Sequence, residues 1–244
     1  MIKPVACMAT IPPRHRELKL ACQSLLPQVD RLFIYFNGFT REQVPLWAKS
    51  ISKITWECSE EFGDLGDVGK FFFCSSEMRD QYGINDVVFT CDDDIVYPRW
   101  HVAKIQHRLA DKSSSRHIFT YHGARMKPQC YDYGRHKVTF HIAKTVKQQT
   151  KVNIGGTGCM GFSLSTFQPS LEMFEAPNMA DIFVARWALL NEVGIYVLPH
   201  KRGDFQILHV EETIWSSTSA KDGSSMDRSE MTNRIISSLA WPRV

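Results

Sequence analysis

Short apolar runs alternate with segments of helical periodicity through the first half of the chain. The strand-like runs are Val5–Thr10, Arg31–Phe36, 53–57 and 86–91. Apolar residues recur at helical spacing over 18–25, 42–51, 71–81 and 102–109. Strands that alternate with helices form βαβ units joined by right-handed crossovers. The sequence therefore predicts an α/β fold with a mostly parallel central sheet flanked by helices.

The second half is less regular, but it predicts three further strands, at 117–121, 159–164 and 195–198. Asp181 opens a helix that extends to Val193. Residues 123–151 are polar and basic and are typical of either a hairpin or a loop. The segment 216–231 is rich in serine and charge, which suits a lid or a frayed end. We see no interdomain linker, so we expect one domain over 1–244.

The composition argues against a disordered chain and against a dedicated nucleic-acid binder. The chain has 244 residues, of which 43% are hydrophobic and 11% aromatic, so it has enough apolar material for one globular core. Its formal net charge of +3 is only mildly basic. That charge suits a phosphate-bearing substrate and does not indicate a nucleic-acid partner.

The seven cysteines are scattered and form no CxxC pair, which predicts reduced, buried thiols and makes a cysteine zinc site improbable. The first ten residues lack the long apolar core of a signal peptide. No stretch approaches the roughly 18 apolar residues of a membrane span. We therefore expect a cytoplasmic protein without a transmembrane segment, for which peripheral membrane contact stays open.

Three consecutive aspartates, Asp92, Asp93 and Asp94, follow the strand-like run at 86–91. Ligands of open α/β sheets bind beyond the carboxyl ends of the strands, where this acidic triplet falls. Alternation along an extended segment points Asp92 and Asp94 one way and Asp93 the other. Because adjacent carboxylates repel one another, a cation should compensate them, and Mg²⁺ or Mn²⁺ suits oxygen ligands. The alternative is a solvated acidic turn.

The order of motifs resembles GT-A fold nucleotide-sugar glycosyltransferases, in particular family-2-like inverting enzymes of the kind that build surface polysaccharides. Residues 8–14 look like the first strand and the loop at the nucleotide, where Thr10, Pro12 and Arg14 lie. Asn37 stands where the family usually carries an aspartate for the base or ribose. The acidic triplet is similar to the family's DxD motif.

Three further segments extend the resemblance. Lys70, with Asp67 nearby, matches a basic residue close to the nucleotide. The glycine-rich run of Gly155, Gly156, Thr157 and Gly158 is similar to the acceptor-side loop. The run 179–181 looks like the family's Glu-Asp pair, with Ala180 in place of the first acid and Asp181 retained.

The resemblance implies a nucleotide-binding half over 1–110, an acceptor-side half over 111–215 and a C-terminal tail over 216–244 that is a candidate lid. Asp92 and Asp93 would contact the nucleotide, and Asp94, Asp92 and His209 would hold Mn²⁺ or Mg²⁺. Asp181 would be the general base of an inverting transfer, although an aspartate at that point is also a common helix cap.

The implied partners are a nucleotide-sugar donor, with UDP-sugars favoured, and a glycan or lipid-linked acceptor. The basic stretch from Lys127 to Lys151 would suit an anionic or lipid-diphosphate acceptor, although such runs are usually solvated faces. Three alternatives stay open: a sugar nucleotidyltransferase, a retaining GT-A enzyme and a non-catalytic sugar-binding module.

Overall fold

The structure is a computed structural model that describes residues 4–84, 86–111, 116–127, 130, 132–210, 228–242 and 244. Eight strands form its central sheet: β1 Val5–Thr10, β2 Arg31–Phe36, β3 Ile54–Cys58, β4 Val87–Asp92, β6 His117–Thr120, β9 Thr150–Val152, β11 Cys159–Ser163 and β12 Gly194–Val197. Five short strands lie outside it: β5 Ile95–Val96, β7 Gly123–Met126, β8 Lys137–Phe140, β10 Ile154–Gly155 and β13 Gln206–Ile207.

The central sheet is mostly parallel, with the order β3-β2-β1-β4-β11-β6-β12-β9. β1, β2, β3 and β4 pair in parallel, as do β6 and β12, whereas β11 and β9 run antiparallel to their neighbours. The chain leaves β1 toward β2 and β3 and then returns to place β4 on the other side of β1. This reversal is a topological switch point, at which open α/β sheets bind their ligands.

Helices cover both faces of this sheet. They are α1 His15–Leu25, α2 Leu46–Ser50, α3 Ser59–Phe62, α4 Arg79–Tyr82, α5 His101–Ala110, α6 Ala180–Leu190 and α7 Arg228–Ser237. Three 3₁₀ helices span Pro12–Arg14, Gly66–Cys74 and Leu171–Met173. The predicted α/β class, with a mostly parallel sheet between helices, is confirmed. No helix in the described part of the chain is both long and apolar enough for a bilayer crossing.

Alternate residues of the central strands enter two separate cores. In β1, Val5 and Cys7 pack into one core, while Ala6 and Met8 pack into the other. This period of two is the geometry of an extended strand whose faces are both covered. All seven cysteines are free and six of them are buried, as the sequence predicted.

The segment 123–151, which the sequence left open between hairpin and loop, forms part of a small second sheet of order β10-β7-β8. β7 and β8 pair antiparallel, so the hairpin interpretation is correct. Of the tail, the structure describes 228–242 and 244, where α7 lies; the candidate lid segment before it is outside the described residues.

Two predicted helices differ most from the structure, and the helix expected to extend from Asp181 to Val193 is α6, which ends at Leu190. The helix expected over 71–81 is instead the 3₁₀ helix Gly66–Cys74 followed by the short α4. Phe71, Phe72 and Phe73 are all buried, so this segment lacks the solvent-exposed polar face of an amphipathic helix. The helix expected over 42–51 is confined to Leu46–Ser50, directly after Pro45.

His101, the first residue of α5, is buried in an aromatic cluster. Its ring centroid lies 4.8 Å from that of Tyr97, 5.3 Å from Tyr121 and 5.7 Å from Phe205. Neither ring nitrogen has a hydrogen-bond partner among the described residues. Burial therefore lowers the pKa of His101 to about 3. As the pH falls below the ordinary histidine pKa of about 6.5, this histidine is protonated in the unfolded chain but not in the folded protein. The unfolded state is therefore favoured.

We expect His101→Phe to reduce the sensitivity of the fold to acid. Between about pH 6.5 and about pH 5, protonation of this histidine in the unfolded chain costs the wild type about 2 kcal/mol of unfolding free energy. Urea unfolding at about pH 7.5 and about pH 5 measures the loss of unfolding free energy between the two pH values. This loss should be smaller in the variant than in the wild type by about 2 kcal/mol. His107→Gln, an exposed position on the same helix, is the matched control. Equal acid sensitivity in His101→Phe and wild type would contradict the prediction.

Candidate active site

The candidate active site is a cavity of 440 Å³ at the carboxyl ends of β1 and β4. β1 ends at Thr10 and β4 at Asp92, and the register pairs Ala9 with Asp92. The two strands flank the topological switch point, so their polar ends meet at one place. Most of the residues singled out from the sequence line this cavity: Thr10, Arg14, Asn37, Asp67, Lys70, Asp92, Asp93, Asp94, Gly156, Thr157, Gly158 and Asp181.

Asp93 is the buried member of the acidic triplet, with a side chain only 2% exposed. Its Oδ2 accepts a hydrogen bond of 2.6 Å from the Thr10 hydroxyl, and its Oδ1 accepts one of 2.5 Å from Arg14 Nη1. Burial raises the pKa of Asp93, whereas the Arg14 charge and the Thr10 hydroxyl act to lower it. Asp93 thus ties the end of β4 to the end of β1 and to the start of α1.

Asp92 is neutralised by Lys70, which the 3₁₀ helix Gly66–Cys74 brings into the cavity wall. Lys70 is buried and forms an ion pair and a hydrogen bond with Asp92 Oδ1. Burial acts to lower the pKa of Lys70, but the carboxylates of Asp92 and Asp67 outweigh it and raise the pKa. Lys70 is therefore a permanent internal cation.

Tyr97 and Gly158 fix the backbone around Asp92. The Tyr97 hydroxyl accepts a hydrogen bond of 2.7 Å from the Asp92 N–H and donates one of 2.6 Å to the Gly158 carbonyl. A Cβ at Gly158 would lie 1.9 Å from Asp92 Oδ2. Glycine is required here because the carboxylate occupies the space of a side chain.

Asp94 is the carboxylate of the triplet that the protein leaves least compensated. Its only ion-pair contact among the described residues is Arg14 Nη1 at 3.9 Å, and Arg14 is already bound to Asp93. Burial, followed by the negative charges of Asp92 and Asp93, raises the pKa of Asp94 to about 7. A carboxylate in this situation is stabilised by any added cation.

A divalent cation fits these donors. Asp92 and Asp94 offer hard oxygen ligands at the cavity, with side chains 37% and 23% exposed. The described residues contain no cluster of three or more metal-ligating side chains. Mg²⁺ and Mn²⁺ sites commonly have one or two protein carboxylates and take their other oxygens from water and substrate phosphates, so two carboxylates suffice.

Asp181 lies in the first turn of α6, which begins one residue earlier than predicted, at Ala180. It is not a cap of its own helix, because no side-chain cap bond is made there. Instead, its Oδ1 accepts hydrogen bonds from the Thr157 N–H at 2.8 Å and the Thr157 hydroxyl at 2.7 Å. The glycine-rich run and the start of α6 are thereby joined.

Asp67 supplies the cap that Asp181 does not. Its Oδ2 accepts a hydrogen bond of 3.0 Å from the Ala180 N–H, and its own N–H donates to Asn178 Oδ1 at 3.1 Å. One of the free backbone donors at the start of α6 is thus satisfied from the 3₁₀ helix that carries Lys70. Burial raises the pKa of Asp67, and Lys70 acts to lower it.

Asn37 braces the loop before that 3₁₀ helix. Its Nδ2 donates to the Gly66 carbonyl at 2.7 Å, and its Oδ1 accepts from the Leu65 N–H at 3.0 Å. Both ends of the amide are therefore engaged with backbone. Nucleotide contact by Asn37 remains a prediction, as it does for Thr10, Arg14, Asp67, Lys70, Asp92 and Asp93.

Three of the residues singled out from the sequence do not line the cavity. Pro12 is exposed in the 3₁₀ helix Pro12–Arg14. Gly155 is buried in β10, so only Gly156, Thr157 and Gly158 of the predicted loop reach the cavity. His209 is exposed, although the preceding N–H of Leu208 bonds to the Asp94 carbonyl at 2.7 Å. A metal-binding role for His209 remains a prediction.

Sequence reasoning gave no role to Tyr97, Tyr133 or His141, of which Tyr133 and His141 line the cavity. Tyr97 follows the acidic triplet by three residues, and that proximity was the one available signal. Tyr133 and His141 flank β8, and no local pattern shows that this hairpin folds against the ends of β1 and β4.

Comparison with known proteins identifies no family. No family model matches the chain, and no curated protein matches it significantly. Among solved structures it is similar to an active-site mutant of LgtC, a GT-A glycosyltransferase, at 13% identity and a TM-score of 0.37. The match covers 67% of this chain and 58% of LgtC, which is less than two thirds of that protein. A superposition this weak identifies neither the fold nor the function of this chain.

We expect Gly158→Ala to destabilise the protein by about 1–3 kcal/mol, the range for overpacking a filled site. The backbone of Gly158 is outside the left-handed region, so the clash with Asp92 is the sole cause. Urea unfolding of the purified variant measures the change.

A double-mutant cycle separates this clash from a general intolerance at position 158. Asp92→Ala removes the atoms that the new Cβ would meet, so Gly158→Ala should cost under about 0.5 kcal/mol in that background. An equal cost of Gly158→Ala in both backgrounds would show that Asp92 does not occupy the space beside Gly158.

Proposed function

We propose that this protein is a metal-dependent GT-A glycosyltransferase that moves a sugar from a nucleotide-diphosphate donor to a hydroxyl acceptor with inversion, in glycan or surface-polysaccharide synthesis. The observation that supports the proposal is that the three aspartates of the acidic triplet have different ion-pair partners. Asp93 and Asp92 are neutralised by Arg14 and Lys70, while Asp94 is the least compensated of the three and lies in a cavity that also contains Asp181.

The donor side would be the wall built from the ends of β1 and β4 and from the 3₁₀ helix of Lys70. A nucleotide diphosphate adds negative charge, and Lys70 and Arg14 are the cations present in this wall. A divalent cation held by Asp94 and Asp92 would neutralise the departing diphosphate. The cavity volume of 440 Å³ lies in the range of small-ligand sites.

Asp181 would be the general base. Thr157 occupies Oδ1 through two hydrogen bonds and fixes the orientation of the carboxylate. Oδ2 has no hydrogen-bond donor among the described residues, so it is the oxygen left to accept the acceptor's proton. The acceptor oxygen bonds to the anomeric carbon as the bond from that carbon to the diphosphate oxygen breaks. Attack from the face opposite the leaving group inverts the configuration.

The donor site is tested by thermal-shift titration with UDP-, GDP-, dTDP- and CMP-sugars, each with and without Mn²⁺. At a ligand concentration about 100 times Kd, a donor should raise the melting temperature by roughly 5 °C or more. Asp94→Asn should abolish the part of the shift that depends on Mn²⁺. We expect a UDP-sugar to give the largest effect.

Asp80→Asn is the matched control, because the Asp80 side chain is 87% exposed and does not line the cavity. It should leave every shift unchanged. No stabilisation of the wild type by any nucleotide sugar, with or without metal, would overturn the proposed function.

Asp181→Asn tests the base. The amide preserves shape and an oxygen for Thr157 but cannot take a proton at neutral pH. We expect donor binding to persist while kcat falls by about 10²–10⁴-fold, measured as nucleoside diphosphate released in the presence of acceptor. Unchanged turnover would remove Asp181 as the base. The anomeric configuration of the product, read by NMR, distinguishes inversion from retention, and release of pyrophosphate would identify a nucleotidyltransferase.

A further inference from the structure

A second group of polar side chains lines the cavity and has no part in the donor-side network. It consists of Lys137, the first residue of β8, with Tyr133, His122 and His141. We call it the basic cluster. It belongs to the hairpin and the connections around β7 and β8, whereas the donor-side residues all come from the first 94 residues of the sequence.

Lys137 is a cation without a carboxylate partner among the described residues. Its Nζ lies 3.7 Å from the centroid of the Tyr133 ring, which holds it by a cation–π contact. Burial lowers the pKa of Lys137, while the negative charge of Asp181 acts to raise it. In contrast, the two donor-side cations are bound to carboxylates, Arg14 to Asp93 and Lys70 to Asp92.

The two histidines present hydrogen-bond donors. His122 Nδ1 accepts from the Ile142 N–H at 3.4 Å, and His141 Nδ1 accepts from the Ala143 N–H at 3.1 Å. Burial lowers the pKa of both rings, so they are neutral at pH 7. A neutral ring whose Nδ1 is the acceptor carries its proton on Nε2. The rings lie edge to face with centroids 4.9 Å apart.

The basic cluster lies beside the glycine-rich run that holds Asp181. The Gly156 N–H donates a hydrogen bond of 2.8 Å to the His122 carbonyl, and the next residue, Thr157, donates two hydrogen bonds to Asp181 Oδ1. The charge of Asp181 acts on Lys137 and on His122, and the charge of Asp92 also acts on His122. Asp181 is also the carboxylate that acts on Tyr133. The cluster therefore lies on the side of the cavity where the acceptor hydroxyl would meet its base.

We propose that the acceptor carries an anionic oxygen group, a phosphate or a carboxylate, which Lys137 binds together with the Nε2–H groups of His122 and His141. This inference rests on the proposed function, because it takes Asp181 as the base that defines the acceptor side. A half-buried ammonium without a carboxylate is costly, and an anionic substrate group compensates that cost. A neutral sugar hydroxyl would leave the charge unpaired.

Isothermal titration calorimetry of the full chain, saturated with UDP and Mn²⁺ to fill the donor side, tests this inference. The probes are glucose, galactose and mannose, each compared with its 6-phosphate and its uronate, and inorganic phosphate alone. We expect at least one anionic form to bind about 10–100-fold more tightly than its neutral parent, the range for a hydrogen bond to a charged group. The phosphate and uronate arms identify which anion is preferred.

Lys137→Gln should abolish this preference while UDP and Mn²⁺ still bind with wild-type affinity. Lys137→Arg should retain it, and Lys147→Gln, an exposed lysine that does not line the cavity, should leave it unchanged. A melting temperature within about 2 °C of wild type shows that each variant is folded.

The proposed function and this inference fail in different ways. If UDP and Mn²⁺ bind but no anionic form is preferred, or if the preference survives in Lys137→Gln, the anionic acceptor is overturned and the donor site stands. If nothing binds at the donor side, the titrations are repeated without UDP. An anion preference that depends on Lys137 then supports the basic cluster as an anion site, and its absence overturns it.

Discussion

The buried contact of Asp93 with Thr10 and Arg14 is the interaction on which the candidate site depends. It joins the carboxyl ends of β1 and β4, the two strands that flank the switch point of the sheet, to the 3₁₀ helix Pro12–Arg14 that precedes α1. Removing one partner of a buried ion pair leaves an uncompensated charge that costs about 3–5 kcal/mol. The alternation expected along an extended segment does not apply here, because Asp93 and Asp94 lie in the turn between β4 and β5, and Asp94 Oδ2 also lies 3.9 Å from Arg14 Nη1.

Three adjacent carboxylates are tolerated because the fold delivers two cations from different elements. Arg14 ends the 3₁₀ helix that precedes α1, and Lys70 comes from another 3₁₀ helix whose apolar residues, Phe71 to Phe73, anchor it in the core. Neither cation reaches Asp94 closely. The residual negative charge is thus localised on one carboxylate at the cavity, which is the electrostatic condition for binding a metal ion and a phosphate group together.

The central sheet and the residues that meet at the carboxyl ends of β1 and β4 could be predicted from the sequence, because strand ends and their polar residues are local patterns. Thr10 and Asp92 each close an apolar run, and parallel strands bring such ends to one edge of the sheet. The basic cluster was not readable, because Lys137 and His141 reach the cavity only through pairing of β8 with β7. Likewise, no pattern indicated that Asp67 would cap a helix more than 100 residues later.

That cap has a mechanical consequence. The hydrogen bond from Ala180 to Asp67 fastens α6 to the 3₁₀ helix of Lys70, and Thr157 fastens the next residue, Asp181, to the glycine-rich run. The two walls of the cavity are therefore not hinged independently. A displacement of the Lys70 segment would be transmitted through Asp67 to the start of α6, so the positions of Lys70 and of the Asp181 carboxylate are coupled.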